Sequence, residues 1–432
     1  MDMARNHRRA RGRLGVGAVS AVAVLVVVAA ACQPVAARPP PPPPPPPAPV
    51  GCDAQSQATP TPQHPLSYAV VVRRPGWAAP QATSFTATSE ADKDAQVAQL
   101  QSSGTVLAVG PNQIVKAQTD PGVPSPASYP LFAQQWGLHA APGADFPAAW
   151  NHTPPISGTG ETIAVVDTGV DLSHQGLVGR VIPGPDYVAG GTVTGDPDGH
   201  GTHVAGIAAD NDNVGGLGGA PNATILAVRV LNQAGDGTDV AVANGVIWAA
   251  THGANVINLS LGAPGCDTVL QVAMQTAWND GVVVVAAAGN DGTNELFSPA
   301  GYSNEAIAVA ATDDTGNRAS FSNDGPFVSL AAPGVGVLST CAWTNTIPSS
   351  LNGICINPEG GTTSSNAAYG YLSGTSMATP FVSAAAALVK EECPTFTPAQ
   401  VKAELMNHAG ATVPGYGFHE LDAAAAVAAA CH

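Results

Sequence analysis

Four polar residues stand where hydrophobic or small-residue stretches begin or end. Asp167 follows directly on Ile163-Ala-Val-Val166 and precedes the turn residues Thr168-Gly169, so its carboxylate is expected at the carboxyl end of a strand. His200 lies in Asp198-Gly-His-Gly-Thr-His-Val-Ala-Gly206, where flanking glycines leave the ring unobstructed as a helix begins. Ser376 lies in Gly374-Thr-Ser-Met-Ala-Thr-Pro380, at the head of an Ala-rich segment. A helix N-terminus there offers unpaired N–H groups and a positive dipole end to a developing oxyanion. Asn290 closes Val282-Val-Val-Val-Ala-Ala-Ala-Gly-Asn290, a buried strand ending on an amide that can donate a second hydrogen bond. Acyl transfer by serine needs a base for the hydroxyl proton, a carboxylate to fix the base's tautomer, and oxyanion donors. The chain supplies one candidate for each.

The elements that must position them follow from the apolar pattern. Short runs such as Thr162 to Val166, Thr224 to Val230, Asn255 to Leu261, Val282 to Ala288 and Ala306 to Ala310 alternate with longer segments, Val240 to Ala250 and Val269 to Trp278. Strands alternating with helices imply parallel βαβ units, hence an α/β fold: a three-layer sandwich with a mainly parallel sheet. In such sheets chemistry gathers at the carboxyl ends of the strands.

Upstream, the Arg-rich residues 5–13 and the apolar stretch 14–31 read as a signal peptide, residues 1–31. Residues 32–65 form a linker holding nine consecutive prolines, a polyproline II spacer. Residues 66–122 read as a small α+β unit, with strands at 68–72, 105–109 and 113–116 and a helix at 90–100. Pro-rich residues 121–130 mark a cleavable boundary, and 123–432 form the large domain. The formal charge of −16 is unevenly spread: after residue 125, five basic residues face 25 acidic ones, about −20. Such a body, without a basic stripe, argues against nucleic acid or an anionic membrane as partner.

With these residues in place, Asp-Thr-Gly after a strand, His-Gly-Thr-His-Val-Ala-Gly, Ala-Ala-Gly-Asn and Gly-Thr-Ser-Met-Ala-Thr-Pro resemble the subtilisin family of serine endopeptidases (subtilases, peptidase S8). The chain order Asp, His, Ser is the order already known for subtilisin. The similarity covers about residues 131–430 and extends to Gln135-Trp-Gly-Leu138 and Ala331-Ala-Pro-Gly334; Leu226-Ala-Val-Arg-Val-Leu231 is similar to the thermitase and proteinase K branches. Residues 66–122 resemble, more loosely, the family's inhibitor-like propeptides, on strand and helix order and on Val109-Gly-Pro-Asn112.

The resemblance implies Ser376 as nucleophile, His200 as general base then acid, Asp167 orienting the imidazole, and the Asn290 side chain with the Ser376 N–H as oxyanion hole. It implies that Ser260-Leu-Gly262 and Gly235-Asp-Gly237 clasp substrate backbone by strand pairing, and that Phe297 narrows the S1 pocket or lines it with apolar surface. No cofactor is required for the chemistry. A structural calcium is allowed on the loop Asp210-Asn-Asp-Asn-Val214, with Asp210, Asp212 and Val214 as oxygen ligands, although Gly176 stands where the family has an aspartate ligand. Asp186, Asp196 and Asp198 form a second candidate calcium cluster. His203, His174 and Asp171 read as hydrogen-bonding and loop-capping groups, and Phe381-Val-Ser-Ala384 departs from the family in a way that alters helix packing.

Of the seven cysteines, Cys341 with Cys355 and Cys393 with Cys431 are the expected disulfides in an exported chain, with Cys266 left over if Cys52 departs with the leader. The leading expectation is a secreted, monomeric serine endopeptidase, made as a zymogen held by its own propeptide and acting on proteins and peptides. The alternatives are a processing protease tethered to the envelope through a lipid on Cys32, and a noncatalytic extracellular binding protein on the same fold. A lipase or esterase would place its acid and histidine after the serine; here both precede it.

Overall fold

The computed structural model describes residues 67–77, 79–112, 114–117, 131–211, 215–342 and 368–431. Cys355, Asp212 and Val214 therefore lie outside the described residues, as do Cys32 and Cys52.

The N-terminal unit is a three-stranded antiparallel sheet. Strand β1 (Ser67–Arg73) pairs on one side with β2 (Gln81–Thr86) and on the other with β3 (Thr105–Pro111). Between β2 and β3 lies α1 (Glu90–Ser103), whose N-cap Ser89 accepts the Asp92 N–H at 3.2 Å. Expected strands and helix are all present; β2 was missed, because Gln81-Ala-Thr-Ser-Phe-Thr86 carries little apolar alternation. A fourth strand, β4 (Ile114–Ala117), leaves this sheet altogether.

The large domain opens with 3₁₀ turns at Phe132–Gln134 and Trp136–Leu138 and the short α2 (Phe146–Trp150). It continues through β5 (Thr162–Asp167), β6 (Val181–Asp186), α3 (His200–Ala209), β7 (Thr224–Arg229), β8 (Asp236–Thr238), α4 (Asp239–Thr251), β9 (Val256–Leu259) and β10 (Leu261–Pro264). Then come α5 (Thr268–Asn279), β11 (Val283–Ala287), β12 (Phe297–Ser298), β13 (Ile307–Thr312), β14 (Leu330–Pro333), β15 (Val337–Thr340) and β16 (Tyr369–Leu372). Three helices finish it: α6 (Thr375–Glu392), α7 (Pro398–Asn407) and α8 (Ala423–Ala429).

Seven strands form one sheet in the order β14-β13-β11-β9-β5-β7-β6, every neighbouring pair parallel. Side chains of a strand alternate between faces, and here each face is buried. Ile163 and Val165 of β5 pack with α3 and α6, whereas Ala164 and Val166 pack with α4 and α5. The same split divides Val283 and Val285 from Val284 and Ala286 in β11. Near-continuous apolar strands are what a sheet covered on both sides requires, and each fully buried branched side chain contributes roughly 1.5–3 kcal/mol. The expected three-layer α/β sandwich is what the chain forms.

Ala69, Val71 and Ala82 of the N-terminal sheet join the core on the α4 and α5 side, and the Asn244 side chain of α4 takes the Ala82 N–H and donates to the Ala82 carbonyl, both at 2.7 Å. Cys393 and Cys431 are bonded and tie the end of α8 to the end of α6. Cys266 and Cys341 are each disulfide-bonded as well, to partners outside the described residues, so Cys266 is not left over in the full chain. Phe381 explains its departure from the family by packing: its ring lies 6.1 Å from that of Phe146, and a Cβ at Gly137 would approach it to 2.6 Å.

Candidate active site

The order of the sheet reverses around β5, whose neighbours are β7 and β9, so the crevice at its carboxyl end is where α/β sheets bind ligands. Asp167 ends β5 there and is fully buried. One carboxylate oxygen accepts the Thr168 N–H at 2.7 Å and meets His200 Nδ1 at 2.7 Å. His200 opens α3 after Gly199, which has φ 102°. The helix can press this close only because residue 201 is glycine: a Cβ there would lie 2.1 Å from the Gly169 carbonyl.

A buried carboxylate that sequence reasoning did not assign to the site holds this corner together. Asp196 accepts the Thr168 hydroxyl at 2.8 Å, the Gly199 N–H at 2.8 Å, and both the hydroxyl and N–H of Thr202, at 2.7 and 2.8 Å. Thr168 in turn accepts the Gly201 N–H. The loop after β5 and the first turn of α3 are thus clamped through one side chain. Its signal in the sequence was Asp196-Pro-Asp-Gly199, an aspartate placed to bond the backbone of a following turn.

Burial lowers the pKa of His200, but the Asp167 charge and hydrogen bond, with Asp198 and Asp196 beyond, outweigh it and leave the imidazole raised above its ordinary 6.5. His203, three residues on, is pushed down by burial to about 3 and meets the Gly370 carbonyl at 3.0 Å; it is a neutral structural histidine. His174 and Asp171 likewise bond backbone groups of their loop and of β16's approach.

Ser376, fully buried, is the second residue of α6. Its hydroxyl donates to the Ser260 carbonyl at 2.9 Å, and the Ser260 hydroxyl donates to the Ser376 carbonyl at 2.8 Å. His200 Nε2 is buried and makes no hydrogen bond among the described residues. Asn290 is oriented by Thr375, whose N–H and hydroxyl both donate to Oδ1 at 2.9 Å. Among the described residues its buried Nδ2 amide finds no acceptor, so it is available to a developing negative charge. Of the four residues singled out by sequence, the structure pairs Asp167 with His200 at the end of β5 and the start of α3, and ties Asn290, beyond the end of β11, to Thr375, the neighbour of Ser376 at the start of α6.

Beside them runs a second sheet in the order β12-β10-β4-β8. The strand from the N-terminal unit, β4, lies in its middle. Lys116 is registered with Gly262 and Ala117 with Leu261 on β10, while Ile114, Val115 and Lys116 face Thr238, Gly237 and Asp236 on β8. These are the two segments expected to clasp substrate backbone: Ser260, Leu261 and Gly262 flank one side, Gly235 and Gly237 belong to the turn and strand of the other. Phe297 is buried and packs where a Cβ at Gly262 would come within 2.4 Å of its ring and one at Gly289 within 3.0 Å. Its ring therefore fills the space between β10 and the end of β11.

The expected calcium residues fare differently. Asp210 is fully buried, with its Oδ2 accepting the Tyr369 hydroxyl at 2.8 Å. Asp186 pairs with Arg229 at 2.9 Å and caps Val188 and Ala189. Among the described residues, no group of three or more His, Cys, Asp or Glu side chains could hold a metal ion.

Residues 158–425 match the subtilase family (Peptidase_S8). The chain is similar to thermitase of Thermoactinomyces vulgaris, 46% identical over 57% of this chain and 79% of that protein. It is also similar to subtilisin Savinase of Lederbergia lenta, 42% identical over 63% of this chain and 90% of that one. Among solved structures, a protease of Pseudoalteromonas arctica PAMC 21717 superposes with a TM-score of 0.59 at 34% identity, covering 69% of this chain and 98% of that one. A cold-adapted subtilisin-like serine proteinase superposes with a TM-score of 0.53 at 36% identity, covering 62% and 90%. Fold and relatives together define a serine-type endopeptidase with protein substrates. The chain belongs to the subtilase family.

Proposed function

We propose that this subtilase is a secreted endopeptidase made as a zymogen, and that it hydrolyses peptide bonds through an acyl-enzyme on Ser376. In this reading His200 takes the serine proton and later returns it to the leaving amine. Asp167 fixes the imidazole with its Nδ1–H toward the carboxylate, leaving Nε2 to act on the hydroxyl. The Asn290 amide and the Ser376 N–H stabilise the tetrahedral oxyanion. The proton moves only between serine, imidazole and leaving group.

The observation that carries this reading is the 2.7 Å contact of His200 Nδ1 with Asp167, with Nε2 left buried and partnerless. A histidine whose one nitrogen is engaged by a buried carboxylate and whose other is idle is arranged for proton transfer. For the zymogen, the support is β4, which occupies the middle of the sheet that β10 and β8 would offer to a substrate backbone. A chain segment there excludes other peptides, so the N-terminal unit acts as an intramolecular inhibitor until it is cut. Phe297, filling the space behind Gly262, makes S1 small and apolar and disfavours cleavage after Lys or Arg. Export rests on the N-terminal leader; no helix among the described residues is long and apolar enough to cross a membrane. The enzyme acts as a monomer.

The test is to incubate the purified protein with a serine-directed phosphonate and map the adduct. Labelling at Ser376 that disappears in His200→Ala supports the mechanism; labelling elsewhere, or undiminished in His200→Ala, refutes it.

A further inference from the structure

The loop beginning at Asp210 stands where the family resemblance allows a calcium ion, yet the groups around it are arranged for something else. A hard cation of that size needs six to eight oxygen ligands with free lone pairs directed at one point. Backbone carbonyls before, after and beside Asp210 in the fold are already turned onto the Arg180 side chain. Arg180 Nη1 donates to the Ala209 carbonyl at 2.6 Å and to the Pro221 carbonyl at 2.9 Å, and Nη2 donates to the Gly176 carbonyl. One guanidinium thus joins the loop after β5, the end of α3 and the turn that leads into β7.

The carboxylates have been exchanged as well. Where the family has an aspartate, this chain has Gly176, and a Cβ built there would lie 1.8 Å from Asp210 Oδ1. The Asp210 carboxylate occupies the volume that a side chain at 176 would need. Its other oxygen accepts the Tyr369 hydroxyl at 2.8 Å, and Tyr369 also accepts the Gly216 N–H at 3.0 Å. Burial lowers the pKa of the guanidinium, while the charge of Asp210 opposes that and keeps it protonated. A planar, permanently charged fork can hold several carbonyls at fixed angles without dissociating, which a metal ion does only above its dissociation constant.

We propose that Arg180 is the built-in cation of this site: it replaces a bound metal ion in drawing the three segments together, and Asp210 binds no calcium. The inference concerns stability alone and does not depend on the catalytic reading.

It is tested in the full chain carrying Ser376→Ala, so that self-digestion does not interfere, by following calcium binding calorimetrically and melting temperature with calcium or a chelator. Asp210→Asn should leave any calcium response of the chain unchanged. Arg180→Gln should lower Tm by on the order of 5 °C, as four carbonyls, those of Gly176, Ala209, Pro221 and Ala223, lose a charged donor, and Arg180→Lys, which keeps the charge but not the fork, should fall between. A calcium-dependent rise in Tm that vanishes in Asp210→Asn would overturn the proposal, as would an unchanged Tm in Arg180→Gln. Should Arg180→Gln fail to fold, the Asp210→Asn and Arg180→Lys measurements still decide it.

Discussion

Ser376 and Ser260 exchange hydrogen bonds, each hydroxyl donating to the other's backbone carbonyl, at 2.9 and 2.8 Å. Ser260 immediately precedes β10, one rung beyond the Leu261–Ala117 pair of the β10–β4 ladder. A peptide that continued this ladder would bring an N–H to the same carbonyl that holds the Ser376 hydroxyl. Occupancy of that rung would turn the hydroxyl away from Ser260 and toward the idle Nε2 of His200. Peptide substrates methylated on that one amide nitrogen should therefore lose at least about tenfold in kcat, some 1.4 kcal/mol, with a smaller change in KM. Steady-state kinetics on matched peptides checks this, and a loss confined to KM contradicts it.

Asn290 keeps its Nδ2 amide without an acceptor among the described residues, while Thr375 claims its oxygen twice. Replacing it with alanine removes one oxyanion donor and should reduce kcat by about 100- to 1,000-fold, a magnitude known from subtilisin itself. KM should barely change, since the oxyanion exists only in the transition state. Thr375→Val, which removes the orienting hydroxyl and leaves the N–H, should show a milder loss of the same kind.

Maturation should cut close to the end of β4. The Pro-rich residues 121–130 mark a cleavable boundary, and the β10–β4 ladder points to a cut just ahead of it. Ala117, the last residue of β4, faces Leu261, the residue after Ser260, so the cut is expected one residue beyond it, after Gln118. The expected mature N-terminus is Thr119, read by N-terminal sequencing or intact mass. The Ser376→Ala chain should accumulate uncut; if it matured normally when expressed alone, self-cleavage would be wrong, whereas a Ser376-dependent cut elsewhere would refute only the register.

The pH dependence follows from His200. Its folded pKa is raised, so the neutral base is lost as pH falls through a value above 6.5, and kcat/KM should decline on that acid limb. Asp198 contributes to the rise through its charge. Asp198→Asn should move the acid limb to lower pH while leaving the plateau within a few-fold. An unmoved limb would show that Asp198 has no electrostatic hold on the imidazole.

Glu420 provides a stability test away from the chemistry. Its buried carboxyl is pushed up to about 7, mainly by burial, while the Thr312 hydroxyl donates to Oε1. A raised folded pKa means the fold favours the proton. The contribution is present in full below the ordinary 4.5 and is lost as pH rises through about 7. Glu420→Gln stays neutral and keeps an acceptor for Thr312, so Tm should fall less between pH 5 and pH 8 than in the parent, both measured on Ser376→Ala chains.

Much of this protein was legible from local pattern. Apolar runs with polar stops at Asp167 and Asn290 marked the strand ends, and small residues around His200 and Ser376 marked helix starts, because those features depend on a few neighbouring residues and on alternation along a strand. The same kind of reasoning missed β2, whose pairing with β1 is decided by its partner and not by its own composition. It missed Asp196 as a clamp, since five donors from three segments meet there only after the loop after β5 folds onto α3.

The sequence by itself determined the chemistry, because residue type sets what a side chain can donate, accept or ionise. Only the tertiary structure decided which of these groups meet. It brought a strand from the N-terminal unit between β10 and β8, drove His203 neutral by burial and left Nε2 of His200 idle. It also set Arg180 on carbonyls from three segments, where a loop of oxygen-bearing residues had suggested calcium. Those outcomes depend on contacts between residues far apart in the chain, and on the water that such contacts exclude, neither of which is written in any local stretch of sequence.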